Sequence, residues 1–189
     1  ASGAALGIRV VELLANARKY EVHLVITPSG ERTLGYEVGP DACSRLNGLV
    51  TQRHRIDDVS ASVASGSFQT VGMIVAPCSI RTLSAIATSA ADNLLIRAAD
   101  VHLKERRRLV LVVRESPLHL GHLRAMTTVS ECGAIIAPLV PAFYLTPRTI
   151  DDIIDQVARR AIALLGVELA RPVEWTGLTA MEVSNPTVQ

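Results

Sequence analysis

Apolar and polar positions along the chain follow two alternating periods. Residues 5–19, ALGIRVVELLANARK, repeat apolar positions at helical spacing, which predicts an amphipathic helix. The apolar face of this helix carries Leu6, Val10, Leu13, Leu14 and Ala17. Residues 21–27, EVHLVIT, form the short β-branched run that is typical of a strand. The chain therefore opens with a helix that leads into a strand.

The same alternation continues along the chain. Further strands are predicted at residues 71–77 (VGMIVAP), 108–115 (RLVLVVRE) and 134–139 (AIIAPL). Further helices are predicted from Ser79 onward, at residues 120–133 and at residues 149–165. Continuous Val, Ile and Leu strands separated by helices predict an α/β fold, with a parallel sheet that is covered by helices on both faces.

In a fold of this kind, ligands bind beyond the carboxyl ends of the strands. Several polar segments of the sequence follow a predicted strand or precede a predicted helix in this way. They are Ser2-Gly3, Thr27, residues 77–79, Arg114-Glu115 and the loop of residues 140–147. We therefore expect these segments to meet at one edge of the sheet and to form the functional site.

The first βα unit raises a question about the start of the fold. Such a unit has a strand before its glycine loop, whereas this sequence opens on the loop itself, ASG. Either the native polypeptide extends before Ala1 by about one strand, ~5–8 residues including a Gly, or the fold lacks its central strand. We favour the first alternative.

Composition limits the class of protein. The 189 residues fit one domain, predicted at 1–168, with a C-terminal tail at 169–189 that has no clear period. Residues 40–70 are polar and irregular and are predicted to form a surface excursion. No run approaches the ~18 apolar residues of a membrane span, so the 49% of hydrophobic residues serve a core or subunit contacts.

Charge and cysteine content add two expectations. A net charge of +1 gives no general argument for binding nucleic acid or an anionic membrane, and we expect neither partner. The three cysteines, Cys43, Cys78 and Cys132, have no paired close spacing, which argues against a disulfide framework. A reducing compartment, the cytoplasm, is expected.

The segment MIVAPCSIRTLSAIA, residues 73–87, holds the densest candidate chemistry. Cys78 or Ser79 is a potential nucleophile, and the strand-to-helix turn is a potential anion cradle of hydroxyls and backbone N–H groups. The spacing of Ser79 and Thr82 across one helical turn favours the cradle. A simple Ser79 N-cap beside a buried thiol is the structural alternative.

Arginines and histidines near the predicted strand ends are further candidates. Arg114 follows a strand beside Glu115 and is either a ligand-binding group or part of a structural ion pair. In the last helix, a helical wheel places Arg160 at the edge of the apolar stripe and Arg159 toward water. His119 and His122 have a spacing that metal sites use, but no further ligand lies at suitable spacing, so no metal is expected.

With these motifs in place, the sequence resembles the flavin prenyltransferase family, the UbiX-like flavoproteins. The matching segments run in order over residues 1–166: ASGA, SGSFQTVGMIVAPCSIRTLSAIA, DNLLIRAADVHLKERRRLVLVVRE, PLHLGHL, GAIIAPLVPAFYLTP and DIIDQVARRAIALLG. The resemblance implies a flavodoxin-like Rossmann fold that assembles into a dodecamer with sites at subunit interfaces. It also implies a metal-independent reaction in which dimethylallyl phosphate and reduced FMN give prenylated FMN, the cofactor of partner UbiD-like decarboxylases.

The resemblance also implies roles for individual residues. Those matched to FMN binding are Ala1, Ser2, Thr27, Ser79, Ile80, Arg81, Thr82 and Arg114. Those matched to the prenyl phosphate are Lys104, Tyr144 and Arg160, and the matched active-site carboxylates are Glu37 and Glu115. Cys78 then becomes a packed thiol. Two departures are Ser89, where the family commonly has Gly, and Gly121, where it prefers Ile.

Two other functions compete with prenyl transfer. A flavin-binding cysteine decarboxylase of similar fold needs a catalytic His in an early helix and an Asn-rich clamp, neither of which we find in the sequence. A non-catalytic flavin-binding accessory subunit of an aromatic acid decarboxylase would not need a prenyl phosphate site. The presence of Lys104, Tyr144 and Arg160 argues against that second alternative.

Overall fold

Helices and strands alternate along most of the chain in the computed structural model, which describes residues 1–169. The helices in this part are α1 (Ala4–Ala17), α2 (Pro28–Glu37), α3 (Ala42–Leu49), α4 (Ile80–Ala87), α5 (Leu94–Lys104), α6 (Leu120–Glu131) and α7 (Ile150–Leu164). The strands are β1 (His23–Val25), β2 (Gln52–His54), β3 (Gly72–Cys78), β4 (Arg108–Val113) and β5 (Ile135–Ile136). Short 3₁₀ turns lie at Ser62–Ala64 and Phe143–Leu145.

The strands form two parallel sheets. β1 pairs with β2, and β3, β4 and β5 form a second sheet in that order, with β4 in the centre. The ladder between β3 and β4 is regular up to Val75 and shifts before Cys78. The predicted α/β class with parallel strands is confirmed.

Strand β4 forms the centre of the core, because all of Leu109–Val113 is buried. Successive side chains of a strand point to opposite faces, so the strand packs against helices on both sides. One face shares a cluster with residues of α4, α5 and α6, and the other face shares a cluster with residues of α1 and α7. The sheet is thus covered on both faces, as the sequence predicts.

Helix α1 packs against both sheets. One flank, with Leu6 and Val10, belongs to the cluster around β4, and the other, with Ile8 and Val11, belongs to a cluster that includes residues of α2 and α3. Gly7 faces β3 so closely that a Cβ atom there would lie 2.7 Å from the carbonyl oxygen of Ala76. A glycine is therefore required for the helix to approach the strand at this distance.

An ion network joins α1 to α7. The Asp155 carboxylate accepts hydrogen bonds from Arg9 Nε at 2.7 Å and from Arg159 Nε at 2.6 Å. Burial raises the pKa of Asp155, but the bonds from Arg159 and Arg9 outweigh burial and the pKa is lowered. The carboxylate therefore stays ionised between two cations and ties the two helices together.

The orientation predicted for the two arginines of α7 is wrong. The Arg159 side chain is 19% exposed and pairs with Asp155, whereas Arg160 is exposed. The reason is that α7 buries the face of Ala158, Ala161 and Ile162, whereas Ile150, on which the helical wheel was set, is exposed. The buried face is thus rotated about the helix axis from the predicted one. This rotation turns Arg159 toward Asp155 and Arg160 toward water.

Most of the other predicted helices and strands are present in the structure. The helix of residues 5–19, the strands before Thr27, Ser79 and Arg114, and the later helices are confirmed. The surface excursion predicted for residues 40–70 is wrong in part, because α3 and β2 lie within it. Of the predicted tail, residues 170–189 lie outside the described residues. Within residues 1–169, none of the helices has the length and apolar character to cross a membrane.

Ser89 provides a test of backbone strain. Its φ of 52° lies in the left-handed region, where a side chain is disfavoured and glycine is not. We expect Ser89→Gly to raise the free energy of unfolding by about 0.5–1 kcal/mol, and Ser89→Ala to give no such gain. Urea unfolding of the three proteins measures the difference. Equal midpoints for the parent and Ser89→Gly would show that the strain is negligible.

Candidate functional site

Strands β1, β3 and β4 deliver polar residues to one edge of the fold, which we call the functional edge. Thr27 follows β1, Ser79 follows β3 and Arg114 follows β4. The backbone N–H of Arg114 donates to the carbonyl of Cys78 at 3.1 Å, so β3 and β4 end side by side. The structure thus brings the turn at Ser79 and the predicted Arg114 together.

Helix α4 begins in a cluster of hydroxyls. Ser79 Oγ accepts a hydrogen bond from the Thr82 backbone N–H at 3.3 Å and donates to Thr82 Oγ1 at 3.1 Å, and Thr82 is buried. Ser79 is therefore the N-cap of α4. The N–H groups of Ile80 and Arg81 lie in the same first turn, where a helix has no internal acceptors, so they are suited to binding an anion.

Cys78 is a packed thiol. Its side chain is fully buried, and Sγ donates to the backbone carbonyl of Ser79 at 3.6 Å. Burial raises the pKa of Cys78 to about 12, so the thiol carries its proton at neutral pH. Because the thiolate is the reactive form, the structure argues against a nucleophilic role for this residue.

The first turn of α2 repeats this arrangement. Thr27 Oγ1 accepts from the backbone N–H of Gly30 at 3.0 Å, and Pro28 begins the helix. Thr27, Ser79 and Ala1 line one cavity of about 340 Å³. The beginnings of α1, α2 and α4 therefore face a common space, and their dipoles favour a negatively charged group there.

Glu37 caps α1 from the end of α2. Its carboxylate accepts from the backbone N–H of Gly3 at 2.9 Å and of Ala4 at 2.8 Å. Burial raises the pKa of Glu37, but hydrogen bonds from Ser2, Ala4 and Gly3 outweigh it and lower the pKa overall. The predicted carboxylate thus lies beside Ser2 at the functional edge, held by a capping contact that the sequence did not indicate.

Three further predicted residues lie along the functional edge. Arg81 is exposed, with Nη2 3.5 Å from Asp92 Oδ2. Glu115 follows Arg114, is exposed, and accepts from the backbone N–H of Ser116 at 3.1 Å. Tyr144 lies in the 3₁₀ turn that leads from β5 toward α7 and is 52% exposed.

Lys104 and Arg160 lie toward the opposite edge. Lys104 ends α5 and pairs with Glu105 just before β4 begins, whereas Arg114 follows the other end of that strand, roughly 20 Å away. Arg160 lies one helical turn before Leu164. The Leu164 carbonyl accepts a hydrogen bond at 3.1 Å from Nη1 of Arg108, which begins β4. One chain by itself does not bring either cation to the functional edge.

The two histidines of the PLHLGHL segment lie at the start of α6. Their ring centroids are 3.6 Å apart with the ring planes tilted by 37°, and His119 Nδ1 accepts from the backbone N–H of Gly121 at 3.0 Å. His119 is therefore the N-cap of α6. Among residues 1–169, no group of three or more His, Cys, Asp or Glu side chains is arranged to hold a metal ion.

An exposed apolar surface borders this edge and was not predicted from the sequence. Its members, which we call the apolar rim, are Leu118, Leu120, Leu123, Val140, Phe143 and Ile150, all at least 42% exposed. They come from the loop and helix after β4, from the segment between β5 and α7, and from the first residue of α7. Exposed apolar groups in such number mark an interaction surface. The apolar residues of PLHLGHL and VPAFYL are the sequence feature from which this surface could have been predicted.

Comparisons with known proteins agree along nearly the whole chain. The family model described as Flavoprotein matches residues 1–161. A flavin prenyltransferase UbiX of Thauera aromatica is 52% identical over 184 residues, which cover 97% of this chain and 94% of that protein.

Two solved structures are similar in both sequence and shape. A crystal structure of AnUbiX (PadA1) in complex with FMN and dimethylallyl pyrophosphate has a TM-score of 0.89 and 45% identity, covering 94% of this chain and 93% of that one. A dodecameric FMN-dependent UbiX-like decarboxylase from Escherichia coli O157:H7 has a TM-score of 0.88 and 42% identity, covering 94% and 95%.

The contact between Glu37 and α1 predicts a pH-dependent contribution to stability. Glu37→Ala removes the acceptor for two helix N–H groups, and we expect it to lower the free energy of unfolding at pH 7 by about 1 kcal/mol. Because the pKa of Glu37 is lowered in the folded state, this contribution is present above the unfolded pKa and is lost as pH falls through the folded pKa. Urea unfolding of parent and variant between pH 7 and pH 3 measures it.

The control for this experiment is Glu131→Ala, which changes an exposed carboxylate at the end of α6. It should leave the midpoint close to that of the parent at every pH. A difference between Glu37→Ala and the parent that stays constant down to pH 3 would show that the ionised carboxylate is not the stabilising group.

Proposed function

The chain belongs to the Flavoprotein family and, within it, to the UbiX-like flavin prenyltransferases, and from this premise we propose that it joins a dimethylallyl group to reduced FMN. The donor is dimethylallyl phosphate and the product is prenylated FMN. The observation that carries the proposal is the 45% identity, at a TM-score of 0.89, to a structure that contains both FMN and dimethylallyl pyrophosphate.

The functional edge fits the phosphate of FMN. Two hydroxyl-capped helix starts and a third helix start face one cavity, and Thr82 there is buried. The turn from Ser79 to Thr82 would hold the phosphate through hydroxyls and the N–H groups of Ile80 and Arg81. Arg114, Thr27 and the Ala1-Ser2 loop would contact the rest of the flavin. Reduced FMN supplies the ring atoms N5 and C6, to which the five-carbon group becomes joined.

The second substrate needs its own phosphate site. When the allylic C–O bond breaks, its electron pair leaves with the phosphate, and negative charge develops on the leaving oxygens. Lys104, Arg160 and the Tyr144 hydroxyl would stabilise that charge without a metal ion. Glu115 would deliver or accept a proton beside the flavin, and Glu37 would hold the first loop through its contact with Gly3.

This site requires more than one subunit. Lys104 and Arg160 lie toward one edge of the fold and Tyr144 and Arg114 at the other, so each active site would take these groups from neighbouring copies of the chain. The apolar rim provides a surface for such contacts, and the UbiX-like relative from Escherichia coli O157:H7 is dodecameric. We accordingly propose a dodecamer whose active sites lie between subunits.

The product has a defined use in this proposal. Prenylated FMN would be passed to a partner UbiD-like decarboxylase in the cytoplasm, a location consistent with the three free cysteines. The competing function, a flavin-binding accessory subunit of an aromatic acid decarboxylase, requires FMN binding but no transfer chemistry. An assay of prenylated FMN therefore distinguishes the two.

The neighbouring arginines of α7 test the prenyl phosphate site. Arg160→Ala should leave FMN bound but lower the formation of prenylated FMN by ~10²–10³, because one charge partner of the leaving phosphate is lost. Arg159→Ala should keep its transfer activity per folded protein, since Arg159 pairs with Asp155. Anaerobic incubation with reduced FMN and dimethylallyl phosphate or pyrophosphate, followed by mass spectrometry, measures the product.

The FMN content of each variant completes this test. If the parent protein binds FMN but forms no prenylated product with either donor, the accessory-subunit function replaces prenyl transfer. If Arg160→Ala loses FMN together with activity, Arg160 belongs to the flavin site or to the fold rather than to the prenyl phosphate site.

Hybrid oligomers test whether the site is shared between subunits. Arg114→Ala and Lys104→Ala should each be nearly inactive as pure proteins. Hybrid oligomers, made by co-expressing the two variants with different affinity tags, should recover about a quarter of the parent activity. In random assembly, about half of the subunits that contribute residue 114 and about half of those that contribute residue 104 carry the intact side chain, so about a quarter of the sites have both.

The matched control pairs Arg114→Ala with Glu115→Gln. Both changes lie at the same edge of one subunit, so hybrids of these two variants should stay as inactive as the pure proteins. If the hybrids of Arg114→Ala and Lys104→Ala also stay inactive, then both groups act from the same subunit and the shared site is wrong.

A further inference from the structure

A loop of small and polar residues lies against helix α5. This segment, residues 62–68 (SVASGSF), which we call the serine loop, begins with the 3₁₀ turn at Ser62–Ala64. Its buried residues pack in one small cluster with Leu94, the first residue of α5. Farther along the helix, Arg97 Nε donates to the carbonyl of Ala64 at 3.2 Å. The first half of the serine loop is thus held by α5 itself.

The second half of the serine loop is held by Arg107, which lies between α5 and β4. Its Nη1 donates to the carbonyl of Phe68 at 2.7 Å, and its Nη2 donates to the carbonyl of Gly66 at 2.5 Å. The donors of a guanidinium group lie in one plane in fixed directions, and a charged donor strengthens each bond. The two bonds together therefore fix the backbone of residues 66–68, which a single bond would leave free to turn.

The turn that follows α5 directs Arg107 toward this loop. The backbone N–H of Arg107 donates to the carbonyl of His102 at 2.8 Å, and that of Arg106 donates to the carbonyl of Leu103 at 3.1 Å. With Arg106 in the left-handed region at φ 57°, these bonds form a Schellman motif. The chain reverses there, so that Lys104 at the helix end and Arg107 after the turn lie beside the same loop.

Lys104 lies directly on the part of the loop that Arg107 holds. A Cβ atom at Gly66 would lie 2.7 Å from Lys104 Nζ, which is closer than a carbon and a nitrogen atom pack. The ammonium group, paired with Glu105, therefore occupies the space over the Gly66 backbone that a side chain would take. A movement of this backbone changes the position that is open to the ammonium group. This contact is the physical link between Arg107 and Lys104.

We propose that Arg107 is a positioning residue for prenyl transfer. It fixes the serine loop, and the loop fixes the Lys104 ammonium group where negative charge develops on the leaving phosphate. The inference rests on the proposed function, in which Lys104 stabilises that charge. Such stabilisation depends on a charge that is already in place when the bond breaks. Arg107 acts through Lys104 in this role, because its guanidinium group binds the loop carbonyls.

Arg107→Met tests this role, because methionine keeps an apolar stem and removes both hydrogen bonds. We expect kcat for prenylated FMN to fall by about 10–100-fold, since a displacement of ~1 Å is costly for a catalytic group. The KM for dimethylallyl phosphate should change less than kcat, because the other groups of the phosphate site stay in place. The affinity for FMN should stay at the parent value, because both bonds of Arg107 go to the serine loop. Arg107→Lys, which keeps the charge, should have an intermediate kcat.

Two further variants complete the set. Arg106→Met removes the same charge one position earlier, from an exposed side chain, and should keep the kcat and KM of the parent. Gly66→Ala leaves Arg107 in place but adds a methyl group against Lys104 Nζ, so it should lower kcat as Arg107→Met does. If Arg107→Met does not fold, Gly66→Ala takes its place in every comparison.

The position of Lys104 can also be measured without turnover, because Lys19 and Lys104 are the two lysines of the chain. Reductive methylation of the FMN-bound proteins, followed by peptide mass spectrometry, gives the labelling of Lys104 relative to the exposed Lys19. We expect this ratio to rise about threefold in Arg107→Met, because the ammonium group is no longer held in one surface ion pair. Arg106→Met should keep the ratio of the parent.

An unchanged kcat or an unchanged labelling ratio in Arg107→Met would overturn the proposal. So would an equal loss of kcat in Arg106→Met, or a loss of FMN together with kcat, since either result would indicate a general effect of charge or folding. If the parent itself forms no prenylated FMN, the proposed function is wrong. In that case the labelling ratio alone decides whether Arg107 positions Lys104, and equal ratios in parent and Arg107→Met would overturn that link as well.

Discussion

The parallel direction of the strands is the constraint on which the rest of the structure depends. A chain that leaves one parallel strand must cross over the sheet before it enters the next, so each crossover starts from the same edge. The caps Thr27, Ser79, His119 and Thr149 all follow from this constraint. A protein with a net charge of only +1 thereby gains a locally positive edge, built from backbone dipoles instead of an excess of cationic side chains.

The same constraint separates the cationic side chains. Helices that begin at the functional edge end near the other one, and Lys104 and Arg160 lie at or near such ends. Arg114 is different because it directly follows a strand. The fold thus distributes the groups of the proposed reaction according to where each element stops, and assembly of several copies is the physical means of bringing them together.

Much of this arrangement could be predicted from sequence, and the failures have physical causes. The apolar runs of β3 and β4 and the amphipathic period of α1 are strong local patterns, and their elements are present. Strand β2 consists of Gln52, Arg53 and His54, which carry no strand pattern; it forms because it pairs with β1, and because His54 stacks on His23. Such tertiary contacts leave no periodicity in the sequence.

The site residues divide in the same way. Ser79 and Thr82 could be placed in one turn, because a helical start fixes their spacing. The capping contact of Glu37 joins residues more than thirty positions apart, which no local pattern encodes. The partial burial of Arg159 could not be predicted from the largest apolar side chains, because α7 buries two alanines and Ile162 while its first residue, Ile150, is exposed.

Gly7 shows how a residue without functional groups can govern binding. Its close approach to the Ala76 carbonyl sets the height of α1 above β3. A larger side chain would lift the first turns of the helix and would carry the amides of Gly3 and Ala4 away from Glu37. Random substitutions at this position would therefore weaken ligand binding, although glycine offers no functional group, because Gly7 acts as a spacer between helix α1 and strand β3.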